Sequence, residues 1–118
     1  MYKVSVFDSF SSAHYLRNYN GKCEAMHGHN WKIQVTFKDQ NNDKNGMVID
    51  FTLIKKKLSV ILGNLDHKIL NDIIYFKEIN PTAENISKFI YDELFKFDKR
   101  INSVRVWENE KQFAEYST

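Results

Sequence analysis

Near the start of the chain, apolar and polar residues alternate in two places. Tyr2, Val4 and Val6 alternate with Lys3 and Ser5, which predicts a strand from Tyr2 to about Ala13. Trp31, Ile33, Val35 and Phe37 alternate with Lys32, Gln34 and Thr36, the period of a half-buried strand, here running from about His27 to Lys38. Between them, residues 15–26 carry Asn18, Asn20, Gly21 and Lys22 and read as a loop. Residues 40–46 have turn chemistry, and Met47, Val48 and Ile49 are expected to add a short extended piece. The period then changes. Phe51, Ile54, Leu58, Ile61 and Leu62 fall on one face of a helix, with Asp50 as N-cap and Gly63 as stop. Residues 64–81 show no period. Pro81 and Thr82 signal the start of a second helix, whose buried stripe is Ile86, Phe89, Ile90, Leu94 and Phe97. A third strand, about Ile101 to Glu108, and a fourth, about Phe113 to Tyr116, flank a tight turn at 109–111.

The order is ββααββ, an α+β arrangement in which two helices cover one face of a four-stranded antiparallel sheet. The other face and both edges are left exposed. Open edges are usually resolved by pairing, so association of several subunits into a closed barrel is expected. At 118 residues the chain is read as one domain, 1–118. Its net charge of +2 suits a small anionic substrate and falls short of a nucleic-acid footprint. A single cysteine excludes an intrachain disulfide, no secretory leader opens the chain, and no apolar run reaches the length of a membrane span. A cytoplasmic protein is expected, with no nucleic-acid or membrane partner.

The candidate chemistry gathers around residues 23–31, Cys-Glu-Ala-Met-His-Gly-His-Asn-Trp. If the second strand reaches back to His27, both His27 and His29 project from the face that carries Trp31. Two imidazoles do not hold zinc, and His14 is the natural third ligand. Three neutral imidazoles leave one tetrahedral position open, as in catalytic zinc sites; a closed structural site would want further cysteines that the chain lacks. Cys23 is open between a small buried hydrophobe and a nucleophile or base. Asp66 beside His67 could orient the ring and raise its basicity, or His67 could be a solvated loop residue. Glu108 shares a strand face with Val104 and Val106, where a carboxylate needs a partner, and Arg105 points to the other face. A ligand edge with paired N–H donors, such as an amino-pyrimidinone, would satisfy it. Asp50 is read as a cap, and Lys55, Lys56 and Lys57 as a solvated helix face.

Together these residues resemble the 6-pyruvoyltetrahydropterin synthase family, of the tunnelling fold. The matching stretches are Phe10-Ser11-Ser12-Ala13-His14, Cys23-Glu24-Ala25-Met26-His27-Gly28-His29, Gly46-Met47-Val48-Ile49-Asp50-Phe51, Leu65-Asp66-His67, Pro81-Thr82-Ala83-Glu84-Asn85 and Val106-Trp107-Glu108. The resemblance implies that His14, His27 and His29 bind Zn2+, that Cys23, Asp66 and His67 transfer protons, and that Glu108, helped by Thr82, anchors a pterin. It also implies 7,8-dihydroneopterin triphosphate as substrate and a ring-shaped homo-oligomer, a hexamer favoured, with active sites between subunits. Three residues between Cys23 and His27 look like the bacterial 6-carboxytetrahydropterin synthases of queuosine biosynthesis. The 6-pyruvoyl product is the alternative, as is 6-hydroxymethyl-dihydropterin formation through Glu24, which resembles a folate-pathway branch. In a different class, the histidines would hold metal or pterin without turnover.

Overall fold

The computed structural model describes residues 1–118. Its elements are β1 (Tyr2–His14), β2 (His27–Asp39), α1 (Phe51–Gly63), α2 (Ala83–Phe97), β3 (Ile101–Asn109) and β4 (Gln112–Ser117), with two single 3₁₀ turns, Leu70–Asp72 and Ile74–Phe76, before α2. The strands form one antiparallel sheet in the order β1-β2-β3-β4. Both helices pack on one face, α1 against β1 and α2 against β3 and β4. No helix is long and apolar enough to cross a membrane.

The phase of each strand determines what faces the helices. Trp31, Ile33, Val35 and Phe37 on β2 and Val104 and Val106 on β3 are buried against Ile54, Leu58, Ile86, Ile90 and Leu94 of the helices, in one contiguous cluster. Each large side chain removed from water there contributes roughly 1.5–3 kcal/mol. The opposite face carries Phe7, Lys32, Arg105, Trp107 and Phe113, with the Lys32 ammonium 4.8 Å from the ring centres of both Phe7 and Trp107.

Asp50 caps α1 as expected, accepting the Thr52 N–H at 2.9 Å. Thr82 caps α2 in the same way through Asn85 N–H at 3.1 Å. Three expectations need correction. Phe51 is half exposed rather than part of the buried stripe, which begins at Ile54. Gly63 is the last residue of α1, and Asn64 caps it in an ordinary right-handed conformation. Met47, Val48 and Ile49 form no strand, although Val48 and Ile49 are buried. Their backbone is bound differently. Asp43 takes the Met47 N–H on its side chain and donates its own N–H to the Met47 carbonyl, while the Arg100 guanidinium donates to the Val48 carbonyl. Gly46, at φ +81, makes the tight turn that allows this.

The edge of β1 is less open than its sequence suggests. Asp66 Oδ1 accepts the Ser11 N–H, the Ser11 carbonyl accepts the His67 N–H, and the Ala13 N–H donates to the Lys68 carbonyl. The segment after α1 therefore covers the C-terminal half of that edge. The β4 edge has no such cover, since no backbone hydrogen bond from outside the sheet reaches residues 112–117.

Candidate functional site

The antiparallel register of β1 and β2 brings the three histidines together. His14 lies directly opposite His27, and Ser12 lies opposite His29. All three rings project to the helix side of the sheet, where their centres are 4.6–5.1 Å apart. Trp31, the next inward residue on β2, forms the floor. Its ring meets His14 and His29 edge-on, and its indole N–H donates to the Ser12 carbonyl at 3.1 Å.

Two backbone carbonyls fix the tautomers. His14 Nδ1 lies 2.7 Å from the Pro81 oxygen, and His27 Nδ1 lies 2.9 Å from the Ala25 oxygen. A carbonyl only accepts, so each Nδ1 carries a proton and each neutral ring keeps its lone pair on Nε2. These two Nε2 atoms face one another at 3.1 Å. Two lone pairs at that distance repel unless a cation lies between them. The His29 Nε2 is buried with no hydrogen-bond partner, which is costly for a polar atom. Burial first, then the neighbouring His14, holds the His29 pKa below its ordinary value, while Glu108 acts in the opposite direction. A histidine kept neutral is one ready to ligate. One ligand atom from each of the three rings lies within 4.8 Å of the others, so the residues fit a metal ion. The carbonyls behind His14 and His27 are the outer partners that such ligands ordinarily have.

Glu24 lies close by. Its Oε1 is 3.8 Å from His27 Nδ1 and accepts the Leu16 N–H at 3.2 Å, while its own N–H donates to the Leu16 carbonyl at 2.8 Å. It is therefore engaged with the site rather than a free loop carboxylate. Cys23 is exposed on the same loop and is not among the ligating atoms.

Asp66 and His67 form a pair at 2.9 Å between Oδ2 and Nδ1. The Ser11 N–H, then the His67 side chain, hold the Asp66 carboxyl below its ordinary pKa. His67 sits in the left-handed region at φ +54, uncommon without a glycine, and its side chain is 82% exposed. It opens onto a groove of about 920 Å³ that also includes Ser12, Lys68, Ile69 and Asp72. No hydrogen bond or ion pair joins this pair to Cys23 within the chain.

Glu108 lies near the end of β3, where the pairing with β4 is irregular between Trp107 and Asn109, and its charge reaches His29. It borders a hollow of about 210 Å³ shared with Ala83, Glu84, Gln112, Phe113 and Ala114. Arg105 does not serve it, being paired across the strands with Glu115 at 3.0 Å. Thr82 uses its hydroxyl oxygen to cap α2, and its O–H remains available to donate.

Several contributors escape the sequence: the Pro81 carbonyl, and Asn71 and Asn80, which bind the backbone beside the site. The signal available for these two was slight, two of three asparagines in a stretch without period.

A family model described as 6-pyruvoyl tetrahydropterin synthase matches residues 3–118. The chain is 34% identical over 140 residues to the 6-carboxy-5,6,7,8-tetrahydropterin synthase of Haemophilus influenzae, covering 98% of this chain and 99% of that one. It is 38% identical over 99 residues to the 6-pyruvoyl tetrahydrobiopterin synthase of Dictyostelium discoideum, covering 81% and 73%. Its structure superposes on that of Caenorhabditis elegans 6-pyruvoyl tetrahydropterin synthase with a TM-score of 0.87 at 26% identity, over 99% of this chain and 95% of the other.

Proposed function

Since the chain belongs to the 6-pyruvoyl tetrahydropterin synthase family, we propose that it converts 7,8-dihydroneopterin triphosphate and one water to 6-carboxy-5,6,7,8-tetrahydropterin, acetaldehyde and triphosphate. That product belongs to queuosine biosynthesis, and a cytoplasmic enzyme is the reading that accompanies it. The observation that carries the reading is the set of imidazole nitrogens within 4.8 Å of one another, two of them with their tautomers fixed by main-chain carbonyls. Held on His14, His27 and His29, Zn2+ would supply a Lewis acid beside the substrate's side-chain oxygens.

The remaining steps belong to side chains. Glu108 accepts two N–H bonds from the amino-pyrimidinone edge of the pterin, and the Thr82 hydroxyl donates to the same ring. Cys23, as thiolate, takes a proton from the substrate side chain. Asp66 keeps the His67 ring oriented through Nδ1, so His67 moves protons at Nε2. Because His67 is exposed and neither it nor Asp66 is bonded to Cys23 within one chain, the pair works with Cys23 of a neighbouring subunit. The β4 edge, and the N-terminal part of the β1 edge, support closure of several subunits into a barrel, with a hexamer favoured.

A second reading is favoured by Glu24. Its carboxylate, 3.8 Å from His27 Nδ1, is close enough to the site to act in place of Cys23 and give 6-hydroxymethyl-dihydropterin. Incubation of the zinc-loaded protein with 7,8-dihydroneopterin triphosphate, followed by mass spectrometry, separates the outcomes. A 6-carboxy product with acetaldehyde is expected. A 6-pyruvoyl or 6-hydroxymethyl pterin would assign the chain to the corresponding alternative, and intact substrate with zinc retained would reduce it to a binding module.

A further inference from the structure

The backbone of residues 15–17, where β1 runs into the loop carrying Cys23, is held from both sides. Asn71 grips Tyr15 at two points: the Tyr15 N–H donates to Asn71 Oδ1 at 3.0 Å, and the Asn71 amide donates to the Tyr15 carbonyl at 2.9 Å. Asn80 repeats the pattern two residues on, at 2.8 Å from the Arg17 N–H and 3.1 Å to the Arg17 carbonyl. A primary amide presents an N–H donor and a carbonyl acceptor side by side in one plane, as an adjacent strand's backbone does, so the two side chains stand in for such a strand. They continue the pairing that Asp66, His67 and Lys68 give to Ser11 and Ala13.

On the opposite side, Leu16 is bound twice by Glu24, through the Glu24 N–H and through Oε1. The places of Glu24 and of Cys23 before it are therefore referred, through Leu16, to the two asparagines. Asn80 is followed by Pro81, whose carbonyl orients His14. A single dipeptide thus touches both the histidine site and the loop. Asn80 is further tied to the start of α2, since its carbonyl accepts from the Asn85 side chain at 2.8 Å.

We propose that Asn71 and Asn80 are positioning residues that hold the loop bearing Cys23 and Glu24 in register with the three histidines. The turnover part of this inference rests on the reaction proposed above; the loop part does not. Asn71 is buried and Asn80 only half-buried, so Asn80→Ala is the principal variant, with Asn71→Ala beside it and Asn80→Asp as a graded change. Asn80→Asp keeps the acceptor for the Arg17 N–H and sets a second acceptor against the Arg17 carbonyl.

Amide exchange, steady-state kinetics and zinc content are measured on the zinc-loaded protein. In Asn80→Ala, exchange of the Leu16, Arg17 and Glu24 amides should rise about tenfold or more, as loss of a paired hydrogen bond implies, while the sheet stays protected. Turnover should fall about tenfold or more with KM within about twofold, because the anchor on β3 is untouched. Zinc content should not change, since His14 is bound by a main-chain carbonyl, and Asn80→Asp should fall between. Unchanged loop exchange would overturn the proposal, as would increased exchange spread over the whole sheet, which would mark a general loss of stability. If the unaltered protein gives no turnover, the proposed reaction fails, while the exchange measurement still decides the role of Asn80.

Discussion

Replacing Glu108 with glutamine keeps size and shape and changes the chemistry at one point. The carboxylate at the end of β3 has two acceptor oxygens and faces a hollow of about 210 Å³, with Arg105 already committed to Glu115. A pterin edge with two parallel N–H donors would place a charge-assisted bond on each oxygen. Glutamine retains one acceptor and turns the other into an NH₂ group facing an N–H donor. The loss is one charge-assisted bond, about 1.5–3 kcal/mol, together with the weakening of the other and an unpaired donor, so about 2–4 kcal/mol is expected. That corresponds to a roughly 30- to 1,000-fold weaker affinity. Folding should not suffer, because the half-buried carboxylate is relieved of its charge; a change within about 0.5 kcal/mol is expected, as for most partly exposed sites. Calorimetric titration with dihydroneopterin, lacking the triphosphate, isolates the ring contribution, and metal analysis controls for the histidine site. Affinity within about threefold of the unaltered protein, less than 1 kcal/mol, would refute the role of Glu108.

Further expectations follow from the same geometry. Cys23→Ala should abolish turnover while retaining zinc, since Cys23 is not among the ligating atoms; product formation by the variant, assayed by mass spectrometry, would remove the thiol from the mechanism. Asp50→Ala should destabilise the fold by about 1 kcal/mol through loss of the bond to Thr52 N–H, read as a lower urea midpoint with an unchanged slope. The Arg100 side chain, ahead of its backbone N–H, holds Asp98 below the ordinary value of 3.8. A depressed carboxylate contributes stability that is complete above the unfolded pKa and lost as pH falls through the folded one. Thermal midpoints of the unaltered protein should therefore fall below pH 3.8 more steeply than those of Arg100→Ala, and parallel curves would contradict the pairing.

Strand phase was the most legible part of the chain. Period two through Trp31 to Phe37 put His27 and His29 on the inward face, and the register then set His14 opposite His27. Helix caps at Asp50 and Thr82 were equally local, because a side chain bonding two or three residues ahead leaves its mark in the sequence. What escaped the sequence depends on distant partners. Val48 is buried yet forms no strand because its carbonyl is taken by Arg100, 52 residues away. Asn71 and Asn80 act across 56 and 63 residues, and no spacing rule announces an amide that will stand in for a strand. Phe51 shows the other limit. Its helical phase suits the buried stripe, but at the first turn of α1 it lies beyond the core and borders a surface hollow with Tyr2 and Met47.

The proposed chemistry requires the three histidines to act as ligands. Zinc is to be titrated against a chromophoric chelator into the unaltered protein and into His14→Ala, His27→Ala and His29→Ala, with circular dichroism confirming that each is folded. About one ion per chain is predicted for the unaltered protein, with tight retention lost in each variant, as expected when an open three-ligand site is cut to two. Undiminished stoichiometry and affinity in all three variants would show that the metal sits elsewhere.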